Sequence, residues 1–329
     1  MRAIIHVQST QTLSLSNDEP LPSLPEGEYL LKNEAAGITN GELLWPRPPG
    51  LDRSYPCVEA AGVIIKGPSN GKFKAGDKVY HRVAYPRGGG GREYSTVTEE
   101  VLALRPRNVT AEEAASIPVS ALTAWQGLFE QAGLKPNFNT ATHPPKAQRP
   151  KIFVNGASSS AGNWFVQLAH AAGYHVAATC STKNIPLVRS LGADEVVDYT
   201  ATPLKSYFTT HPKFPLVFDC IGPKTAWHAL APHGRLYTIA PPGPFSDFAS
   251  WNWDLPVPED EGIEEGVHGR FFLMRADGEM LGRITELVEG GRCRGVVDGV
   301  WGMGEFEGAF GRAGGGRAVG RVVVRVSEE

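Results

Sequence analysis

The stretch KIFVNGASSSAGNWFVQLAHAAGYHVAATCSTKNIPLVRSLGADEVVDYT, residues 151–200, decides the fold. It opens on an alternating apolar run, Ile152 and Val154, turns at Gly156 and passes through small residues to Gly162. From there Trp164, Phe165, Leu168 and Ala169 recur at helical spacing. Gly173 stops that helix, and a second apolar run follows from His175 to Thr179. Strand, tight turn, helix and strand close within about 30 residues, the span of a βαβ unit.

Such a unit carries an anion site in its first turn. Gly156 permits the sharp exit from the strand, small residues at Ser158, Ser159, Ser160 and Ala161 let backbone N–H groups approach a phosphate, and Gly162 allows close helix–sheet packing. With the second strand in place, the loop reads as the pyrophosphate cradle of a dinucleotide. Ser159 departs from the glycine common at the middle position; its Cβ takes room, and its hydroxyl offers the phosphate a hydrogen bond in return.

The choice of dinucleotide is read at the tip of the second strand, where an acidic residue would hold a ribose 2′-OH. The tip here is Thr179, Cys180, Ser181, Thr182, Lys183, Asn184, without Asp or Glu. A hydroxyl and an ammonium suit a 2′-phosphate, so Ser181 and Lys183 point to NADPH. The competing reading makes Ser181 a helix cap and Lys183 a solvated cation.

The loop NGASSSAG, followed by VQLA, TCSTKN, LVRSLGADEV and DY, resembles the zinc-free, quinone-oxidoreductase-like branch of the medium-chain dehydrogenase/reductases. SSSAG and TCSTKN are most similar to fungal enoyl reductases that serve polyketide synthases from a separate chain. The resemblance continues through AAGITNGELL (35–44), YPCVEAAGVI (55–64), FKAGDKVY (73–80) and EYSTV (93–97), in the family's order. It implies a Rossmann-type doubly wound parallel sheet over 119–268, plus a β-rich, barrel-like (GroES-like) catalytic domain from 1–118 and 269–329. It also implies cofactor contacts from Asn184, Tyr199 of the DY pair, Phe271 and Phe272, while Ile221 and Ile239 are candidates because they follow the carboxyl ends of strands, where an open α/β sheet puts its ligand crevice. Asn40 and the helix bearing Ser120 and Thr123 would line the cleft between the domains.

The remaining chain is consistent with this organisation. Short strand-like runs at Ile4–Val7, Tyr29–Asn33, Val58–Lys66 and Lys78–Val83 are separated by Pro/Gly turns. Gly88–Gly91 reads as a flexible loop, and 134–150 as a polar, Pro-rich insertion. Buried strands are expected at Glu195–Val197, Leu216–Asp219 and Arg235–Ile239, with helices near Ile185–Leu191, Leu204–Thr209 and Lys224–Leu230. Pro241–His268 reads as a long irregular segment in which Trp251 and Trp253 cover a substrate or anchor the loop. A helix at Glu279–Glu289 and the closing AVGRVVVRV run complete the chain.

Composition bounds the function. A net charge of −3 over 329 residues offers no basic footprint for nucleic acid. Four dispersed cysteines suggest reduced thiols, and no apolar run approaches the roughly 18 residues of a membrane span, so a cytoplasmic protein without membrane partners is expected.

Two segments then narrow the chemistry. A zinc alcohol dehydrogenase of this superfamily would carry Cys where GITNGE has Thr39, and His where the triplet Cys57-Val58-Glu59 has Val58; no metal is therefore expected. What remains is hydride transfer to an acceptor already electrophilic, a small-molecule enone, enoyl thioester or quinone. Asn40 is the candidate for orienting it, or else a turn residue before Gly41. Tyr55 is the candidate proton donor, and Thr123 a candidate contact to the nicotinamide. A polyketide synthase is the partner the resemblance implies, for a monomer or homodimer. An NADPH-binding scaffold with little turnover is the competing class.

Overall fold

The computed structural model describes residues 1–240 and 252–327. They form two compact units, Met1–Leu122 with Arg275–Glu329, and Thr123–Met274.

The second unit is built on one seven-stranded sheet. Across it run Glu195–Asp198, His175–Cys180, Lys151–Asn155, Phe214–Asp219, Leu230–Thr238, His268–Phe272 and Asn252–Leu255. Every neighbouring pair is parallel except the last. From Lys151–Asn155 the chain builds first to one side, then returns to build the other from Phe214–Asp219. The order therefore reverses between those two strands, where an open α/β sheet opens a crevice at its carboxyl end. Ile152, Phe153 and Val154 are buried consecutively, as a strand covered on both faces requires. Trp164, Phe165 and Leu168 of the helix Ser160–Ala171 are also buried. Each contributes roughly 1.5–3 kcal/mol of hydrophobic stabilisation.

The other unit is mostly antiparallel. Val297–Gly302, Arg321–Arg325, Tyr29–Ile38, Glu59–Lys66, Lys78–Arg82 and Leu102–Leu104 make its main sheet, with Tyr94–Val97 also pairing with Tyr29–Ile38. A three-stranded sheet of Thr12–Ser16, Ala3–Val7 and Arg53–Ser54 adjoins in sequence. The helices Ala111–Ala115, Gly278–Glu289 and Phe306–Gly314 belong to the same unit.

Four sequence expectations change. His268–Phe272 pairs in parallel with Leu230–Thr238, so the segment assigned from 269 to the barrel-like domain starts instead as a strand of the parallel sheet. Within Pro241–His268, Asn252–Leu255 forms a strand against His268–Phe272; Trp251 lies outside the described residues. The second half of Gly88–Gly91 is pinned: Gly90 N–H donates to Cys57 O at 2.8 Å, Gly91 N–H to Pro56 O at 3.0 Å, and Gly91 O accepts from Ile4 N–H at 2.8 Å. A Cβ at Gly90 would meet Cys57 O at 2.8 Å, so these glycines permit close backbone packing. Finally, the helix starting at Pro118 becomes a π-helix over Gln126–Gln131. There Gly127 leaves room for Phe165 and Phe272, both 2.8 Å from where its Cβ would lie.

Candidate active site

The phosphate loop is shaped by two glycines. Gly156 has φ +84°, a conformation L side chains rarely adopt, and a Cβ there would also run into Ile221 Cγ1 at 2.3 Å. A Cβ on Gly162 would lie 2.1 Å from Gly156 O and 2.9 Å from Ala157 Cα, both backbone atoms that cannot step aside. Ser159 proves to be the helix N-cap: its Oγ accepts from Gly162 N–H at 3.0 Å. Its side chain thus stabilises the helix terminus, while Ser158, Ser160 and Ala161 stand half-buried around the same turn. The cradle that a Cβ would fill and the helix N-terminus behind it fit a dinucleotide pyrophosphate.

Behind the loop a buried polar network joins four strand ends. Asn155 Nδ2 donates to Asp219 Oδ1 at 2.8 Å, and Thr179 Oγ1 donates to Asn155 Oδ1 at 2.8 Å while accepting from Gly156 N–H at 2.8 Å. Thr238 Oγ1 donates to Asp219 Oδ2 at 2.7 Å, and Gly222 N–H to the same oxygen at 3.0 Å. Burial pushes the Asp219 carboxyl above the ordinary carboxylate range, against the pull of these donors. The network fixes the turns after three strands, at Gly156, Gly222 and, through Thr238, Ala240. The sequence placed Asp219 at a strand end; its partners Asn155, Thr179 and Thr238 went unrecognised because they come from separate strands.

Other cofactor candidates are divided. Ile221 is exposed against Gly156, and Ile239 is half-buried with its N–H on Asp219 O at 3.1 Å. At the tip of the second strand Ser181 is half-buried and Lys183 exposed. Ser181 makes no side-chain cap; instead its Oγ accepts from Asn184 Nδ2 at 3.3 Å. Tyr199 is exposed, and its N–H donates to Cys180 O at 3.3 Å, which holds it beside that tip. Phe271 and Phe272, by contrast, are fully buried. Phe271 packs with Trp253 at 4.3 Å between ring centroids and Phe272 against Gly127, so both rings are part of the core.

In the barrel-like unit, Asn40 is exposed in the turn before Gly41, whose φ of +76° matches the turn-residue reading. Tyr55 donates its phenol proton to Glu19 Oε2 at 2.7 Å and accepts from Arg53 Nη1 at 3.2 Å, while Arg92 lies 4.5 Å over its ring. In this structure the phenol proton proposed for donation is therefore engaged by Glu19. Thr123 is buried on the helix Pro118–Trp125. Ser120, one turn before it, accepts from Arg321 Nη2 at 2.8 Å.

Arg321 is the centre of a buried charged cluster that the sequence did not disclose. Its Nε lies 2.8 Å from Glu59 Oε1, off the hydrogen-bonding line, and its Nη1 donates to Ile38 O at 3.1 Å and Thr39 Oγ1 at 3.4 Å. Glu59 Oε2 accepts from Val119 N–H at 2.7 Å. Glu42 accepts from Cys57 N–H at 3.0 Å, and burial, offset by that bond and by Arg321 but reinforced by Glu59, raises its carboxyl to about 7. Glu42 also lines a small pocket with Trp45, Tyr55, Cys57, Val58 and Tyr85. This donor set does not fit zinc: Thr39 and Val58 supply no adequate ligand, and Glu59 already faces a guanidinium. Among the described residues no group of three His, Cys, Asp or Glu side chains could hold a metal ion, and no helix is long and apolar enough to cross a membrane.

Comparison with known proteins identifies the family. A family model described as a zinc-binding dehydrogenase matches residues 191–324. The chain is 34% identical over 331 aligned residues to a protein of Arthroderma benhamiae named "Probable zinc-binding oxidoreductase, mitochondrial", covering 96% of this chain and 93% of that one. It is 29% identical to a trans-enoyl reductase of Aspergillus terreus, covering 96% and 92% respectively. A quinone oxidoreductase structure from Coxiella burnetii superposes with a TM-score of 0.77 at 18% identity, over 99% of both chains.

Proposed function

The chain belongs to the medium-chain dehydrogenase/reductases and is an oxidoreductase; from that premise we propose an NADPH-dependent, zinc-independent reductase of conjugated acceptors. Its substrates are the C=C of an enone or enoyl thioester, or a quinone. The observation that carries the reading is the pairing of a cradle open only to glycine, at Gly156 and Gly162, with an arginine-filled site around Thr39 and Glu59.

When bound, the cofactor supplies hydride to the acceptor. The chain's residues do the rest: the loop from Gly156 to Gly162 binds the pyrophosphate, Ser181 and Lys183 hold the 2′-phosphate, and Ile221 covers the turn. Without a Lewis acid, the acceptor must bring its own electrophilicity, as a conjugated carbonyl or a quinone does. Asn40 and Thr123 are proposed to orient the acceptor and the nicotinamide. Water then supplies the proton that an enoyl or enone α-carbon takes, since the Tyr55 phenol is held by Glu19. The enoyl-reductase resemblance supports a polyketide-type thioester delivered by a synthase, and the four free cysteines support a reducing, cytoplasmic setting.

Lys183→Ala tests the cofactor assignment. A charge-assisted bond is worth about 1.5–3 kcal/mol, so the variant is expected to weaken NADPH by roughly 10- to 150-fold while leaving NADH nearly unchanged. Equal losses for both dinucleotides would mean that the lysine does not read the 2′-phosphate.

A further inference from the structure

The tip of the second strand lacks an acid in its own sequence, yet the sheet brings one to it. Cys180 is paired in register with Asp198 on the neighbouring parallel strand. Asp198 Oδ2 accepts from Thr182 Oγ1 at 2.5 Å, which places the carboxylate beside the residue preceding Lys183. Its Oδ1 accepts from Thr200 N–H at 2.9 Å and Thr200 Oγ1 at 2.5 Å. These donors lower the carboxyl from its usual range, the Thr182 hydroxyl foremost. A turn alone needs only the bond from Thr200 N–H, which an asparagine would accept equally. The second oxygen instead reaches back across the sheet to the Ser181–Lys183 corner.

We propose that Asp198 is a specificity-determining residue of the dinucleotide site, a fixed negative charge that opposes Lys183 and limits the grip on a 2′-phosphate. The inference rests on reading Ser181–Lys183 as the 2′-phosphate corner. Three donors already occupy the carboxylate, so it is poorly placed to serve as a ribose ligand and acts through its charge. A 2′-phosphate carrying about −1.5 to −2 and held at that corner would feel a repulsion that the ammonium must overcome.

The test is calorimetric binding of 2′,5′-ADP and 5′-AMP to the full chain, which needs no turnover. Asp198→Asn preserves the acceptor for Thr200 N–H and removes the charge. It is expected to tighten 2′,5′-ADP by about three- to tenfold and to leave 5′-AMP unchanged. Asp198→Ser, a second neutral turn former, is expected to shift the same way. An unchanged 2′,5′-ADP affinity, or equal shifts for both nucleotides, would overturn the inference and make Asp198 a turn residue. Loss of 5′-AMP affinity without a gain for 2′,5′-ADP would overturn it in favour of a ribose ligand. A wild-type chain that binds neither nucleotide would defeat the site assignment itself, and this inference with it.

Discussion

The phosphate loop and the Arg321 cluster are both polar and both central to the proposed chemistry, but they are encoded differently. The loop is contiguous: Gly156, Ser159 and Gly162 act on one another within a single turn and helix start. The cluster is assembled from distant stretches, with 201 residues separating Ser120 from Arg321. A local constraint, such as absence of room for a Cβ, restricts residue type at each position and leaves a pattern. A tertiary ion cluster only requires that charges arrive together, and leaves none.

The largest expected effect is at the loop. Gly162→Ala forces a Cβ into the Gly156 carbonyl, so NADPH affinity measured by fluorescence titration is expected to fall at least about a hundredfold, equivalent to about 2.7 kcal/mol or more, with a loss of stability besides. Binding within a few-fold of wild type would mean that the loop yields and that its glycine is not a steric requirement.

The cluster is expected to fail through charge. Arg321→Met leaves Glu59 buried without its partner and is expected to cost about 3–5 kcal/mol in urea unfolding. Adding Glu59→Gln is expected to restore part of that loss, since it removes the carboxylate left unpaired but also takes from the buried Arg82 the charge it faces. If the double variant is no more stable than the single one, the side chain's packing and hydrogen bonds, rather than the unpaired charge, hold this region together.

Glu42 gives a smaller, pH-dependent effect. Its folded carboxyl titrates near 7 against 4.5 for the ordinary group, so the fold favours the protonated form. The corresponding stability is fully present below about pH 4.5 and is lost as pH rises through about 7, to a total of roughly 3 kcal/mol. Glu42→Gln is expected to abolish this slope, so that its stability relative to wild type improves from pH 5 to about pH 8. Parallel pH–stability curves would show that Glu42 does not titrate in the fold.

Much of the architecture was legible for the same reason the loop was. Helical spacing at Trp164–Ala169, stopped by Gly173, and the apolar run His175–Thr179 correspond to a helix at Ser160–Ala171 and a strand at His175–Cys180. What misled was sidedness. Gly88–Gly91 reads as flexible when composition alone is considered, yet neighbouring backbone holds Gly90 and Gly91 in place. Phe271 and Phe272 sit on the expected strand, but their rings are buried in packing that a linear pattern cannot display. Asp198 lay in plain view in the DY pair, and only the parallel register shows that its carboxylate reaches Thr182.

The central claim, hydride delivery to a conjugated acceptor without a metal, is tested most directly by labelling. NADPH carrying deuterium at the transferable nicotinamide C4 position should be turned over with an α,β-unsaturated ketone by protein treated with a zinc chelator. Product analysis is expected to find deuterium on the β-carbon, the carbonyl intact and the rate unchanged by chelation or added zinc. Deuterium on the carbonyl carbon of an alcohol product, formed at a rate that falls on chelation and returns with zinc, would contradict the account.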